Sequence, residues 1–174
     1  MLTHKIPQGT IFPLMSQFLG THHNRLDAKG RVSVPASFRA VLKALTGTSE
    51  LILRPSHFGF SIEAWPIPKF NDLENDLKAL NKFSQAHQDL ATTLYADAFS
   101  LEIDKEGRIL LPDFLVKYAK LTDAVVFMGA GATFQIWEPV AAAARSAEAR
   151  ERTRARLEAA EASAQPAFHA AGGG

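Results

Sequence analysis

Two short stretches of this chain alternate apolar and polar residues with the period of a strand, and they closely match each other. Leu26-Asp27-Ala28-Lys29-Gly30-Arg31-Val32-Ser33-Val34-Pro35 reappears as Ile103-Asp104-Lys105-Glu106-Gly107-Arg108-Ile109-Leu110-Leu111-Pro112. The offset is a constant 77 residues, from Asp27 to Asp104. Asp, Gly, Arg and Pro are identical and the apolar positions stay apolar, so the chain contains an internal repeat. Downstream of the first copy, Leu51-Ile52-Leu53 and Phe60-Ser61-Ile62 predict a strand pair broken by Pro55 and Gly59. Downstream of the second, Val125-Val126-Phe127 and Phe134-Gln135-Ile136-Trp137 predict its counterpart, broken by Gly129 and Gly131. Each unit therefore reads strand, turn, strand, short helix, strand, turn, strand.

The helices follow from a 3.6-residue period. Phe38, Val41, Leu42 and Leu45 form one stripe, and Phe114, Leu115, Tyr118 and Leu121 form its counterpart. Between the units, Phe70, Leu73, Leu77 and Leu80 predict a helix, and Leu90 and Leu94 a second. Residues 81–84 interrupt them, with Ser84 as the N-cap of the second. Asp72, Glu74 and Asp76 fall near the start of the first, where acids favour the helix dipole. Residues 140–163 are rich in Ala, Arg and Glu, with a Glu148/Arg152 pair and one large apolar residue, Leu157. That composition predicts an exposed helix with little to bury. The expected organisation is an N-terminal extension (1–17), unit one (18–68), connecting helices (69–96), unit two (97–140), and an Ala-rich helix with a disordered tail (141–174).

Within the repeat, Asp27 and Asp104 stand where a turn begins and can accept nearby backbone N–H groups. Gly30 and Gly107 supply the positive φ of a tight hairpin. Arg31 and Arg108 lie where the chain re-enters a strand, and Pro35 and Pro112 end it and can open a helix. The plain role for each Asp–Arg pair is a salt bridge that holds the turn. The second role is recognition of nucleic acid. Around the first copy, Arg25, Lys29, Arg31, Arg39 and Lys43 occupy a short span with one acid, Asp27. A basic hairpin of that kind suits phosphate contact and a β-ribbon in a groove.

Composition narrows the classes. The net charge is only +1, so any DNA-binding charge must be gathered on one face. There are no cysteines, which excludes disulfides and thiolate chemistry. No run of about 18 apolar residues is present, so no membrane span is expected. The N-terminal stretch, broken by Pro7, Gly9 and Pro13, lacks a signal-peptide core.

At the repeat and at Phe18-Leu19-Gly20, the sequence resembles the MraZ family of bacterial regulators in the SpoVT-AbrB superfamily. The matching motifs are Leu26-Asp27-x-Lys29-Gly30-Arg31-Val32-x-Val34-Pro35 and Asp104-x-x-x-Arg108, and the likeness covers roughly residues 15–140. The resemblance implies an α+β, β-rich fold: tandem AbrB-like swapped-hairpin units forming a small β-barrel with flanking helices. It implies a ring-like homo-oligomer that binds double-stranded DNA at promoter direct repeats. Those repeats lie upstream of its own operon in the division and cell-wall gene cluster, where it acts on transcription, with repression expected. It also implies a cytoplasmic, nucleoid-associated protein. The arginine matching Arg31 leads the family's DNA-contact candidates, with Lys29 beside it and Arg108 in the second unit. Arg25, Arg39 and Lys105 complete the expected set, and Asp27, Gly30, Asp104 and Gly107 are its structural residues. Glu106 stands where unit one has Lys29, so unit one is expected to dominate. Residues 1–14 read as an upstream extension, with Met15 a natural start.

Other features are given simpler readings. His22 and His23 are adjacent and His57 and His87 isolated, so no metal or other cofactor is expected. Gly129-Ala130-Gly131 is followed by a strand rather than the helix a dinucleotide site needs. Trp65 and Trp137 lie near the ends of equivalent strands and read as core or interface. No triad or nucleophile-elbow spacing appears, so neither catalysis nor a small-molecule substrate is expected. A competing class is a protein-interaction module, either an AbrB-type antitoxin or a ring scaffold.

Overall fold

A computed structural model of the chain describes residues 16–164. They fall into two compact units, one ending at Pro139 and one beginning at Val140. The expected extension before Met15 and the expected disordered tail from Gln165 lie outside the described residues.

The first unit of the fold opens with β1 (Thr21–Arg25) and β2 (Arg31–Ser33), joined by the first Asp–Gly turn. Helix α1 (Ala36–Thr46) follows Pro35, which sits at its N-cap, and ends on Gly47 in the left-handed region. Strands β3 (Glu50–Pro55) and β4 (Ile62–Pro66) form a hairpin. The connection holds α2 (Ile67–Asp72), α3 (Glu74–Lys78), α4 (Gln85–Ala91) and a π-helical turn at Thr92–Ala96. The second copy supplies β5 (Phe99–Glu102), β6 (Arg108–Leu110), α5 (Asp113–Tyr118), β7 (Ala124–Gly129) and β8 (Phe134–Trp137). Helix α6 (Pro139–Ala164) ends the described chain.

The topology interleaves the copies. One sheet has six antiparallel strands in the order β1-β7-β8-β4-β3-β5, and the other pairs β2 with β6. Each copy's first strand thus lies on the other copy's third strand: β1 on β7, and β5 on β3. Each copy's second strand pairs only with its equivalent. Val32 sits opposite Ile109, its own counterpart 77 residues on, and both are buried. The ladder extends symmetrically, with Val34 N–H to Gly107 O at 2.9 Å and Leu111 N–H to Gly30 O at 2.8 Å. In the larger sheet Glu63 pairs with Gln135, and each accepts the indole N–H of the Trp two residues on. A pseudo-twofold axis passes through these two residue pairs.

The architecture is α+β with interlocked hairpins, but the expected small barrel does not close. β1 and β5 remain the two ends of the larger sheet. After each turn, chain reversal leaves little ladder: Leu26 meets Val32 in a single bridge before β2 departs to β6. A three-residue strand ended by Pro has no length left to bridge both partners.

The core is built across the copies. Phe38 of α1 packs at 5.0 Å between ring centroids on Phe134 of β8 and at 5.3 Å on Phe18, and it also meets Phe127 of β7. Phe38, Val41 and Leu42 supply the buried face of α1, as their spacing predicts. Phe18 closes the assembly through paired hydrogen bonds with Gly131. Gly129, read above as part of a hairpin, indeed joins β7 to the turn before β8. A Cβ there would lie 2.3 Å from the Phe18 carbonyl oxygen, so only glycine fits.

Three local expectations need correction. Phe60 is not in a strand: β4 begins at Ile62, and Phe60 is exposed in the preceding loop. The first connecting helix is broken at Leu73 into α2 and α3. Asp72 therefore ends α2, while Glu74 and Asp76 lie in the first turn of α3. Ser84 does cap α4, its hydroxyl accepting the His87 N–H at 3.1 Å. Helix α6, described by itself, is exposed along nearly all its length and carries the Glu148–Arg152 pair at 3.4 Å.

The copies differ most where charge is buried. Arg54 and Glu63 form an ion pair of 2.9 Å between β3 and β4, and both are buried. The Ser56 hydroxyl also donates to Glu63, and Arg54 donates to the Thr93 carbonyl. The same cross-strand place in the second hairpin holds Met128 and Gln135. Glu63→Gln strands a buried cation, and a loss of about 3 kcal/mol or more is expected. Arg54→Met with Glu63→Gln copies the second hairpin and recovers most of that loss. Chemical denaturation of the three proteins measures the difference.

Candidate nucleic-acid interface

The two Asp–Gly turns are built identically. Asp27 Oδ1 accepts the backbone N–H groups of Lys29 and Arg31, both at 2.9 Å, and Oδ2 accepts Arg31 Nε at 2.8 Å. Asp104 does the same for Glu106, Arg108 and the Arg108 guanidinium, at 2.9, 2.8 and 3.1 Å. Gly30 and Gly107 close the turns with φ of 81° and 80°. The backbone N–H of Arg31 foremost, and its side chain and the Lys29 N–H after it, hold the Asp27 carboxyl below its ordinary range. Asp104 is held down in the same way, first by the Arg108 N–H.

The salt-bridge role of these pairs is thus visible in the structure. It also fixes where the arginines point. In the two-stranded ribbon of β2 and β6, Val32 and Ile109 face the core. The alternation of a strand then places Arg31, Ser33, Arg108 and Leu110 on the outer face. Arg31 lies opposite Leu110 and Ser33 opposite Arg108, so the arginines sit on a diagonal. Each is tethered by Nε and about one-third exposed. The two turns flank the ribbon, about 13 Å apart for four residues of strand.

The other candidates are redistributed by the interlocking. Lys29 is exposed on the first turn and lines a recess with Leu101, Glu102, Leu110 and Pro112 of the second copy. Lys105 is exposed on the second turn. Arg39, grouped by sequence with the first turn, belongs spatially to the second. Its guanidinium carbon would lie 2.7 Å from a Cβ on Gly107, and its Nε donates to the Val34 carbonyl at 3.2 Å. Arg25 ends β1, outside the ribbon ladder, in a recess it shares with Asp27 and Ala28 of the first turn and with Thr122 and Asp123. The sequence cluster is therefore divided: Lys43 lies in the last turn of α1, Lys29 and Arg31 accompany the first Asp–Gly turn with Arg25 beside it, and Arg39 joins Lys105 and Arg108 at the second. Glu106 offsets part of the latter by pairing with Arg108 at 3.3 Å.

The histidines do not converge. His22 packs against the Phe38 ring at 5.0 Å between centroids. His57 lies 3.2 Å from Arg54, and burial foremost, then that cation, lowers its pKa. Among the described residues no three His, Cys, Asp or Glu groups are placed to hold a metal ion. No described helix is long and apolar enough to cross a membrane.

The fold and the doubled Asp–Arg turn define a duplicated AbrB-like protein whose two hairpin units interlock within one chain. The sequence pattern of the family described as "MraZ protein, putative antitoxin-like" matches residues 17–92 and 94–162. The transcriptional regulator MraZ of Gluconacetobacter diazotrophicus is 58% identical over 142 residues, covering 80% of this chain and 90% of that protein. That of Gluconobacter oxydans is 58% identical over 142 residues, covering 80% and 87%. That of Pelagibacter ubique is 43% identical over 124 residues, covering 71% and 79%. The chain belongs to the MraZ family.

The depressed carboxyl pKa values of Asp27 and Asp104 set a pH window. Their stabilisation is fully present above the unfolded carboxyl value, near pH 4, and is lost as pH falls through the lower folded values. Stability measured from pH 2 to 5 should fall with acid, and Asp27→Asn with Asp104→Asn should flatten that fall. Between pH 6 and 8 the two proteins should show the same pH dependence.

Proposed function

We propose that this chain is a sequence-specific, DNA-binding transcriptional regulator that acts without catalysis. One observation carries the reading: the β2–β6 ribbon turns Arg31 and Arg108 outward between the two Asp–Gly turns, each of which presents an exposed lysine. A two-stranded ribbon fits a major groove about 12 Å wide. Arginine supplies the fork that reads guanine, and the exposed lysines on the turns suit phosphates. The relatives named above are called transcriptional regulators, which supports the same role.

The finer reading is a repressor on direct repeats upstream of its own division and cell-wall gene cluster, working in the cytoplasm at the nucleoid. A homo-oligomeric ring would set several ribbons on successive repeats. Each contact is weak, and linkage raises the effective concentration of the next. Occupation of the promoter then blocks polymerase. Arg31 and Lys29 make the dominant contacts. Arg108, Lys105 and Arg39 contribute less, because Arg108 answers two carboxylates where Arg31 answers one. Arg25 lies beside the first turn rather than on the ribbon and adds at most a phosphate contact.

A protein-interaction role is the second reading. Phe60 and Phe114 are exposed against Tyr118, and the family's description includes antitoxin-like proteins. A gel shift on the gene's own upstream DNA separates the two. A specific shift at moderate salt supports the regulator, and none supports the interaction module. Arg31→Ala should weaken specific binding by about tenfold or more, as loss of one bidentate base contact does. Arg108→Ala should weaken it by less. Equal losses contradict the dominance of the first turn.

A further inference from the structure

We propose that Leu110 is a specificity-determining residue that reads the methyl group of a thymine beside the guanine contacted by Arg31. The inference rests on the DNA-binding role argued above and names what that ribbon recognises.

Leu110 is out of place by every structural measure. Its neighbours Ile109 and Leu111 are buried, whereas Leu110 is 59% exposed. It stands on the outer face of the ribbon, directly across from Arg31. Its side chain leans over the first turn: a Cβ on Gly30 would lie 3.7 Å from Leu110 Cδ1. Lys29 lines the same recess. An exposed leucine between a lysine and an arginine gains nothing for the core. The repeat confirms that the fold does not need it, because its counterpart in the first copy is Ser33, exposed on the same face.

The surroundings select the occupant. Glu102 and Asp113 also line the recess, but the charged groups on the outer face of the ribbon itself are Arg31 and Arg108, which favours a polyanion over an apolar protein segment. In the major groove the one apolar group presented by any base pair is the C5-methyl of thymine. Cross-strand neighbours in an antiparallel pair stand about 5 Å apart. That separation suits an arginine on one base and an apolar tip on the adjoining one. Phosphates and the minor groove offer no such group. The far end of the ribbon is chemically different, with Ser33 beside Arg108 able to donate and accept. The pseudo-symmetric backbone therefore carries an unsymmetrical reading face. A ribbon of that kind binds a directional sequence in one orientation rather than a palindrome.

The test uses the full chain and a duplex of the gene's own upstream DNA. The duplex is prepared once with thymidine and once with deoxyuridine throughout, which removes the methyl and keeps the base pairing. Wild-type protein should bind the deoxyuridine duplex about three- to fivefold more weakly, the loss of roughly one buried methyl contact. Leu110→Ser should bind the thymidine duplex weaker by the same factor and be indifferent to the exchange. Its stability should match wild type, since the position is exposed and serine already occupies the equivalent place. Its salt dependence should also be unchanged, because no phosphate contact is removed. If wild type ignores the exchange, or if both proteins lose equally, the inference is overturned, and equal loss assigns the methyl effect to DNA shape or another residue. If wild type shows no preference for this duplex over a scrambled one, the regulator reading falls and the inference falls with it.

Discussion

The pairing of two three-residue strands, Arg31–Ser33 with Arg108–Leu110, is the constraint on which the rest of the molecule depends. Neither strand forms a ladder with the first strand of its own copy, which in the first copy leaves only the Leu26–Val32 bridge, so the backbone groups have no other ladder to join. The pairing buries Val32 against Ile109 at the pseudo-twofold axis. It also requires each copy to give its first strand to the other copy's third strand. The shared aromatic core of Phe18, Phe38, Phe127 and Phe134 follows, since α1 comes from one copy and β7 and β8 from the other. Neither copy has a complete core without its partner. The same pairing turns Arg31, Ser33, Arg108 and Leu110 outward and so produces the face proposed to meet DNA.

Duplication has been followed by divergence at specific places. The buried Arg54–Glu63 pair of one hairpin faces Met128 and Gln135 in the other. Both solutions satisfy the Trp indole N–H with a side-chain oxygen, one charged and one neutral. On the surface, Glu106 loads the second turn with an extra acid, and Arg39 reaches across from the first copy to offset it. Ser33 and Leu110 give the ribbon unlike ends. An approximately symmetric backbone can thereby carry a directional surface, which a dimer of identical hairpins cannot do.

The repeat, its turns and most strands are legible in the sequence, because local chemistry dictates them. Asp27, Gly30 and Arg31 form the turn their order predicts, and Ser84 caps the helix it precedes. What sequence order hides is the exchange between copies. Arg39 lies eight residues after Arg31 yet sits on the other copy's turn. No local pattern carries that signal. The break at Leu73 and the late start of β4 are also set by tertiary packing rather than by period. Barrel closure was expected from resemblance, and the short second strands prevent it. Leu110 was detectable in principle: aligning the copies puts it on Ser33, an apolar residue where the first unit is polar.

DNA is proposed to lie against the outer face of the β2–β6 ribbon. The chain has no cysteine, so a single introduced thiol reports on one place. Ser33→Cys puts that thiol on the ribbon, and Gln88→Cys puts one on the exposed surface of α4. The rate of maleimide alkylation is measured with and without the upstream duplex, against a scrambled duplex as control. The specific duplex should slow alkylation of the Ser33→Cys protein strongly and leave the Gln88→Cys protein unchanged. Unhindered alkylation at the ribbon while the DNA is fully bound would contradict that placement.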